Sequence, residues 1–136
     1  MSVETAIVEM ITNSGAVSAL IGDNIWPNVV PEGESFPAIA YSLVLGDDTR
    51  PTNDGQTGLT IARVQLTIQN EKGTTGYSDL LTIRDAVITL CRGVSVDTYD
   101  SIVFDHIETT SLDLPNLEPA TTIYGKVIDM TVYIRD

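Results

Sequence analysis

Between Leu59 and Gln69 apolar and polar side chains alternate, with Ala62, Val64, Leu66 and Ile68 on one side of an extended chain and Arg63, Gln65, Thr67 and Gln69 on the other. A period of two belongs to a strand with one buried and one solvated face. The segment from Ile123 to Arg135 repeats the pattern, with Ile128, Met130, Val132 and Ile134 opposed to Asp129, Thr131 and Tyr133. Strands of this kind need further strands beside them and a second layer over their apolar face. The chain is therefore restricted to a sheet covered on one side.

The covering layer is supplied by helical patterns. Val3, Ala6, Ile7, Met10 and Ile11 make one stripe on a 3.6-residue helix with Ser2 placed to cap it, and a second short turn carries Val17, Leu20 and Ile21 and closes at Gly22. Gly73-Thr74-Thr75-Gly76 opens the main packing helix, whose Tyr77, Leu80, Leu81, Ile83, Val87, Ile88, Leu90 and Cys91 repeat at helical spacing until Gly93. Two further strands run over Ala38 to Leu45, with Ile39, Tyr41, Leu43 and Leu45 on one face, and over Ser101 to Leu114. The 23–37 segment, with three prolines around Ile25, Trp26, Val29 and Val30, reads as an irregular arm pinned by apolar anchors.

The order is α-β-β-α-β-β, which predicts an α+β fold: a mainly antiparallel four-stranded sheet with helices packed on one face. At 136 residues and 43% hydrophobic, residues 1–136 make one domain with a real core. The connection Gly46 to Gly58 is far longer than the two to five residues a hairpin uses, and a polar loop of that length commonly carries a function. Its Arg50 and the carboxylates Asp47, Asp48 and Asp54 are suited to pair across a subunit boundary, and Arg63 and Gln65 on the outward face of the second strand are further candidate interface residues. Pro115 to Thr122 is another turn-rich insertion.

Nineteen acidic residues against seven basic ones leave a net charge of −12, which opposes binding to nucleic-acid phosphates or anionic lipid. No apolar run is long enough to span a membrane, and Met1-Ser2-Val3-Glu4 lacks the basic start of an export signal. One cysteine, Cys91, and one histidine, His106, cannot make a Cys/His zinc set or an internal disulfide, and they lie in elements that need not meet as nucleophile and base. Cys91 lies on the apolar stripe of its helix, and His106 alternates with Asp105 and Ile107 on a strand. An EF-hand aligned on Gly55 would place Arg50 and Thr52 at ligand positions, and Gly73 to Gly76 is followed by Tyr77 rather than the lysine of a phosphate loop. The expectation is a non-enzymatic interaction domain with no cofactor and no metal.

Several segments in order resemble the tail-completion and tail-terminator family of long-tailed bacteriophages. Leu20-Ile21-Gly22-Asp23-Asn24-Ile25-Trp26-Pro27 is similar to that family's segment after a short first helix, and Phe36-Pro37-Ala38-Ile39-Ala40-Tyr41 to the entry into its first strand. Arg63-Val64-Gln65-Leu66 and Asp129-Met130-Thr131-Val132-Tyr133 are similar to its second and last strands. The resemblance implies a virion structural protein, made in the host cytoplasm, that assembles as a homo-hexameric ring at the head-proximal end of a tail. Its implied partners are the tail tube protein and a head-side neck or connector protein, with DNA passing through unbound. A strongly acidic ring fits a passage that repels phosphate. A head-completion adaptor at the connector and an acidic mimic of DNA are the alternatives. They separate by partner: tail tubes, portal-bearing heads, or a basic DNA-binding protein.

Overall fold

The computed structural model describes residues 3–31, 33, 35–49, 59–71, 76–113 and 123–135. Two helices lead: α1 (Val3–Thr12) and α2 (Gly15–Ile21). They are followed by β1 (Ile25–Pro27), β2 (Ala38–Thr49), β3 (Leu59–Glu71), α3 (Gly76–Arg92), β4 (Asp97–Tyr99), β5 (Ile102–Asp113) and β6 (Ile123–Arg135).

The stripe read on α1 is buried in full, at Val3, Ala6, Ile7, Met10 and Ile11. Burying a large aliphatic side chain stabilises a fold by roughly 1.5–3 kcal/mol, so this one face holds α1 to the body. At α2 the Ser14 hydroxyl accepts the Val17 N–H, and Gly22, at φ 63°, donates its own N–H to the Ser18 carbonyl. A left-handed residue at that point suits glycine, which has no Cβ to strain. On α3 the buried stripe is Leu80, Ile83, Val87 and Cys91, with Ile88 and Leu90 packed at its margin.

Among the described residues the sheet has six strands in the order β1-β2-β3-β6-β5-β4, rather than the four expected. β1 pairs parallel with β2, so the sheet is mixed; the four long strands and β4 pair antiparallel. The two extra strands are three residues each, too short to show alternation. The arm of residues 23–37 is thus partly a strand: Ile25 registers with Ile39 and Pro27 with Tyr41. Proline is tolerated there because an edge strand leaves one side of its backbone unpaired.

The alternation of β3 and β6 holds as read, with Ala62, Val64, Leu66, Ile68, Ile128, Met130, Val132 and Ile134 all in the core. α3 lies on β3, β5 and β6, whereas α1 touches both β2 and β4. Those strands are near opposite ends of the sheet order, so the sheet curls around the helices and α1 bridges its opening.

β2 also differs from the sequence reading. It continues through Gly46, Asp47 and Asp48 to Thr49, which registers with Ile61, and register shifts between Leu43 and Leu45 and between Leu45 and Thr49 absorb the extra residues. Bulges accept residues such as glycine and aspartate that regular strands disfavour. Asp47 and Asp48 therefore belong to strand backbone. The rest of the expected hairpin loop, including Arg50 and Asp54, lies outside the described residues, as does the insertion from Pro115 to Thr122.

Candidate functional site

Because the helices occupy one side of the sheet, the other side presents its outward residues in rows set by strand register. One row runs Ser42, Gln65, Asp129, Thr110; the next contains Arg63, Thr131 and Glu108; a third contains Ile61, Tyr133 and His106. The expected site residues Arg63 and Gln65 meet here on a common partner. Gln65 Nε2 donates to Asp129 Oδ1 at 3.4 Å, and the Arg63 guanidinium lies 3.7 Å from Asp129 Oδ2.

A second group forms around a bulge in β5. Phe104 faces Ile134 and His106 faces Tyr133, which leaves Asp105 as the extra residue. The His106 ring stacks on Tyr133 at 4.2 Å and 12°. His106 Nδ1 is 3.1 Å from Asp105 Oδ2, and Nε2 is 3.8 Å from Glu108 Oε1. Asp105 also accepts from the Arg135 guanidinium. These bonds from His106 and then Arg135 hold the Asp105 carboxyl below the usual carboxylate range. The hydrogen bond between Tyr133 and Glu108 favours the protonated phenol, and its pKa rises.

Sequence reading placed Asp129 and Tyr133 on the outward face of the last strand and left both out of the site. Their partners depend on which strands lie side by side, which alternation within one strand does not reveal. Trp26 is half-buried, and its Nε1 donates to Asn24 Oδ1 at 2.6 Å while Asn24 Nδ2 donates to the Pro37 carbonyl at 2.9 Å. The indole is thereby fixed within its own arm.

Cys91 is buried in the core, where desolvation pushes its thiol up to about 12. It remains a protonated packing group at neutral pH. Among the described residues no group of three or more histidine, cysteine, aspartate or glutamate side chains is placed to hold a metal ion. Among the described residues no helix is long and apolar enough to cross a membrane. An open groove of about 420 Å³ lies between α2 and α3, lined by Ser14, Ala16, Asp85, Ala86, Thr89 and Leu90. The open sheet face offers paired charges and amide and hydroxyl groups on adjacent strands, an arrangement chemically suited to a complementary polar surface.

No family model and no curated protein matches the sequence. A solved structure does. A chain described as part of the virion of a native gene transfer agent particle superposes with a TM-score of 0.67, covering 99% of this chain and 96% of that one at 12% identity. The two share a fold. The agreement extends over nearly the full length of both chains, so it takes in the helices as well as the curled sheet.

Proposed function

We propose that this chain is a structural protein of a phage or phage-like particle, forming a ring, most simply of six copies, that terminates the tail tube and joins it to the neck. The observation that carries the reading is the end-to-end fold likeness to a chain of a gene transfer agent virion. The segments that resemble the tail-terminator family support it independently. They fall at the end of α2 and β1, at the entry to β2, and on β3 and β6, so they share the framework that carries the open polar face. The net charge of −12 fits a lumen through which DNA passes without adhering.

In this reading the tail tube protein and a head-side connector protein are the partners, and Asp47, Asp48, Arg50, Asp54, Arg63 and Gln65 contribute to the contacts. Electron microscopy of particles lacking the protein tests it. Overlong or unjoined tails are the expected result. Normal tails with defective portal-bearing heads would move the protein to head completion, and normal particles would remove it from the neck altogether.

A further inference from the structure

Among the described residues, the long strands β2 and β5 near the two sides of the sheet are only partly covered, by β1 and β4. β1 covers β2 at Ile39, Ala40 and Tyr41, and the Asn28 N–H reaches the Tyr41 carbonyl at 2.7 Å. Beyond that point no described residue bonds to the outer edge of β2. The Ile39 N–H and the Tyr41 carbonyl both point outward, to Asn24 and Asn28. Backbone direction alternates along a strand, so the N–H and carbonyl of Leu43 point outward as well. On the other side β4 covers β5 at Ile102, Val103 and Phe104, and the Val96 N–H reaches the Asp105 carbonyl; from His106 onward no described residue bonds to that edge. Exposed apolar side chains accompany both edges: Val29 (71%) and Leu43 (36%) at the first, Val96 (50%) at the second.

Strand direction relates the two edges. β2, β3, β6 and β5 are each antiparallel to the next, so β2 and β5 run in opposite directions. When a second copy is placed beside the first by a modest rotation, its β5 edge therefore meets the β2 edge antiparallel, the more stable ladder geometry. Ser42 and Thr110 already lie in one row across the sheet, and β1 and β4 act as stops at opposite ends of the open stretches.

We infer that the open stretch of β2 beginning at Ser42 pairs with the His106 to Thr110 stretch of β5 in a second copy, continuing the sheet from subunit to subunit. The inference rests on the ring reading above and names its interface. A contact between two different edges is heterologous, and its repetition closes a ring where the rotation between copies divides a full turn. Two-fold pairing of β2 with itself would leave the β5 edge and Val96 exposed; head-to-tail pairing covers both edges at once.

Cysteine pairs at Ser42 and Thr110, and at Ser42 and Glu108, test the contact in assembled particles. Cys91 is buried and does not compete for oxidation. A ladder of covalent oligomers up to ring size is expected from a double variant and none from Ser42→Cys alone. Leu43→Pro supplies the second test: it removes an N–H that β3 does not use, so the monomer is expected to keep its circular dichroism while incorporation falls at least tenfold, with Leu43→Ala incorporated normally. Rings that neither cross-link nor lose Leu43→Pro would overturn the edge pairing and leave the ring reading standing. Dimers from Ser42→Cys alone would overturn it in favour of two-fold pairing. Absence of the wild-type protein from particles would overturn both the pairing and the ring.

Discussion

The carboxylate of Glu9 on α1 accepts the backbone N–H of Asp100 at the tip of the β4–β5 hairpin. The same tip is bound a second time, because the Thr5 hydroxyl donates to Asp100 Oδ2 at 2.6 Å. Asp100 and Ser101, at φ 48° and 66°, form the two-residue loop between β4 and β5, a left-handed pair that matches strand twist in tight hairpins. One turn of α1 thus holds the edge of the sheet that lies farthest from β1.

Removing that clamp destabilises the fold. Glu9→Ala is expected to cost about 1–2 kcal/mol, as for a partly buried hydrogen bond to a charged group, and Thr5→Ala about 0.5–1 kcal/mol. Urea denaturation followed by circular dichroism measures both. An unchanged midpoint in both variants would show that β4 is held by its pairing with β5 rather than by α1.

Burial of Cys91 gives stability a dependence on alkaline pH. The folded thiol titrates at about 12 against an ordinary value of 9.0, so below about pH 9 both folded and unfolded states keep the proton and stability is complete. Between those values the unfolded chain releases its proton first, and stability falls by about 1.4 kcal/mol per pH unit from this group. Cys91→Ala is expected to cost about 1 kcal/mol at neutral pH while removing this part of the slope. Equal slopes in the two proteins between pH 9 and 11 would place the thiol in contact with water.

Arg63 and Asp129 retain 47% and 23% side-chain exposure, which separates assembly from folding. Exposed ion pairs contribute under about 1 kcal/mol, so Arg63→Ala and Gln65→Ala are expected to unfold within a few degrees of the wild type. In the proposed ring both variants incorporate poorly into particles. Normal incorporation at unchanged stability would remove the open face from the contacts.

Self-association is expected to strengthen with salt. Copies carrying −12 each repel, and at 0.15 M ionic strength that repulsion is screened beyond about 8 Å. Sedimentation of the purified protein from low to moderate salt measures the effect. Weaker association in salt would mean that opposite charges, rather than backbone pairing, carry the contact.

Phe104 and Ile107 show where reading along the chain stops. They are three positions apart on β5, so a regular strand would send them to opposite faces, yet both are buried. The bulge at Asp105 reverses the phase, and it also brings Asp105 and His106 together beside Arg135 and Tyr133. Nothing in the local composition marks that position, because a bulge is chosen by the fit of two strands and the layer beneath them. β1 and β4 were missed for a related reason: at three residues each they exist as strands only because β2 and β5 supply partners.

The amino-acid sequence by itself determined the α+β class, the buried stripe of α1, the core faces of β3 and β6, the location of Cys91 on a packing helix, and the acidic charge. Each depends on periodicity or composition, quantities local to one element. Tertiary structure alone decided the six-strand order, the reach of β2 to Thr49, the curl that lets α1 touch both β2 and β4, and the meeting of Arg63 and Gln65 on Asp129. Those features depend on which backbone edges pair and in what register, and hydrogen bonds between distant segments are set by the collective packing of all the elements rather than by the residues of any one.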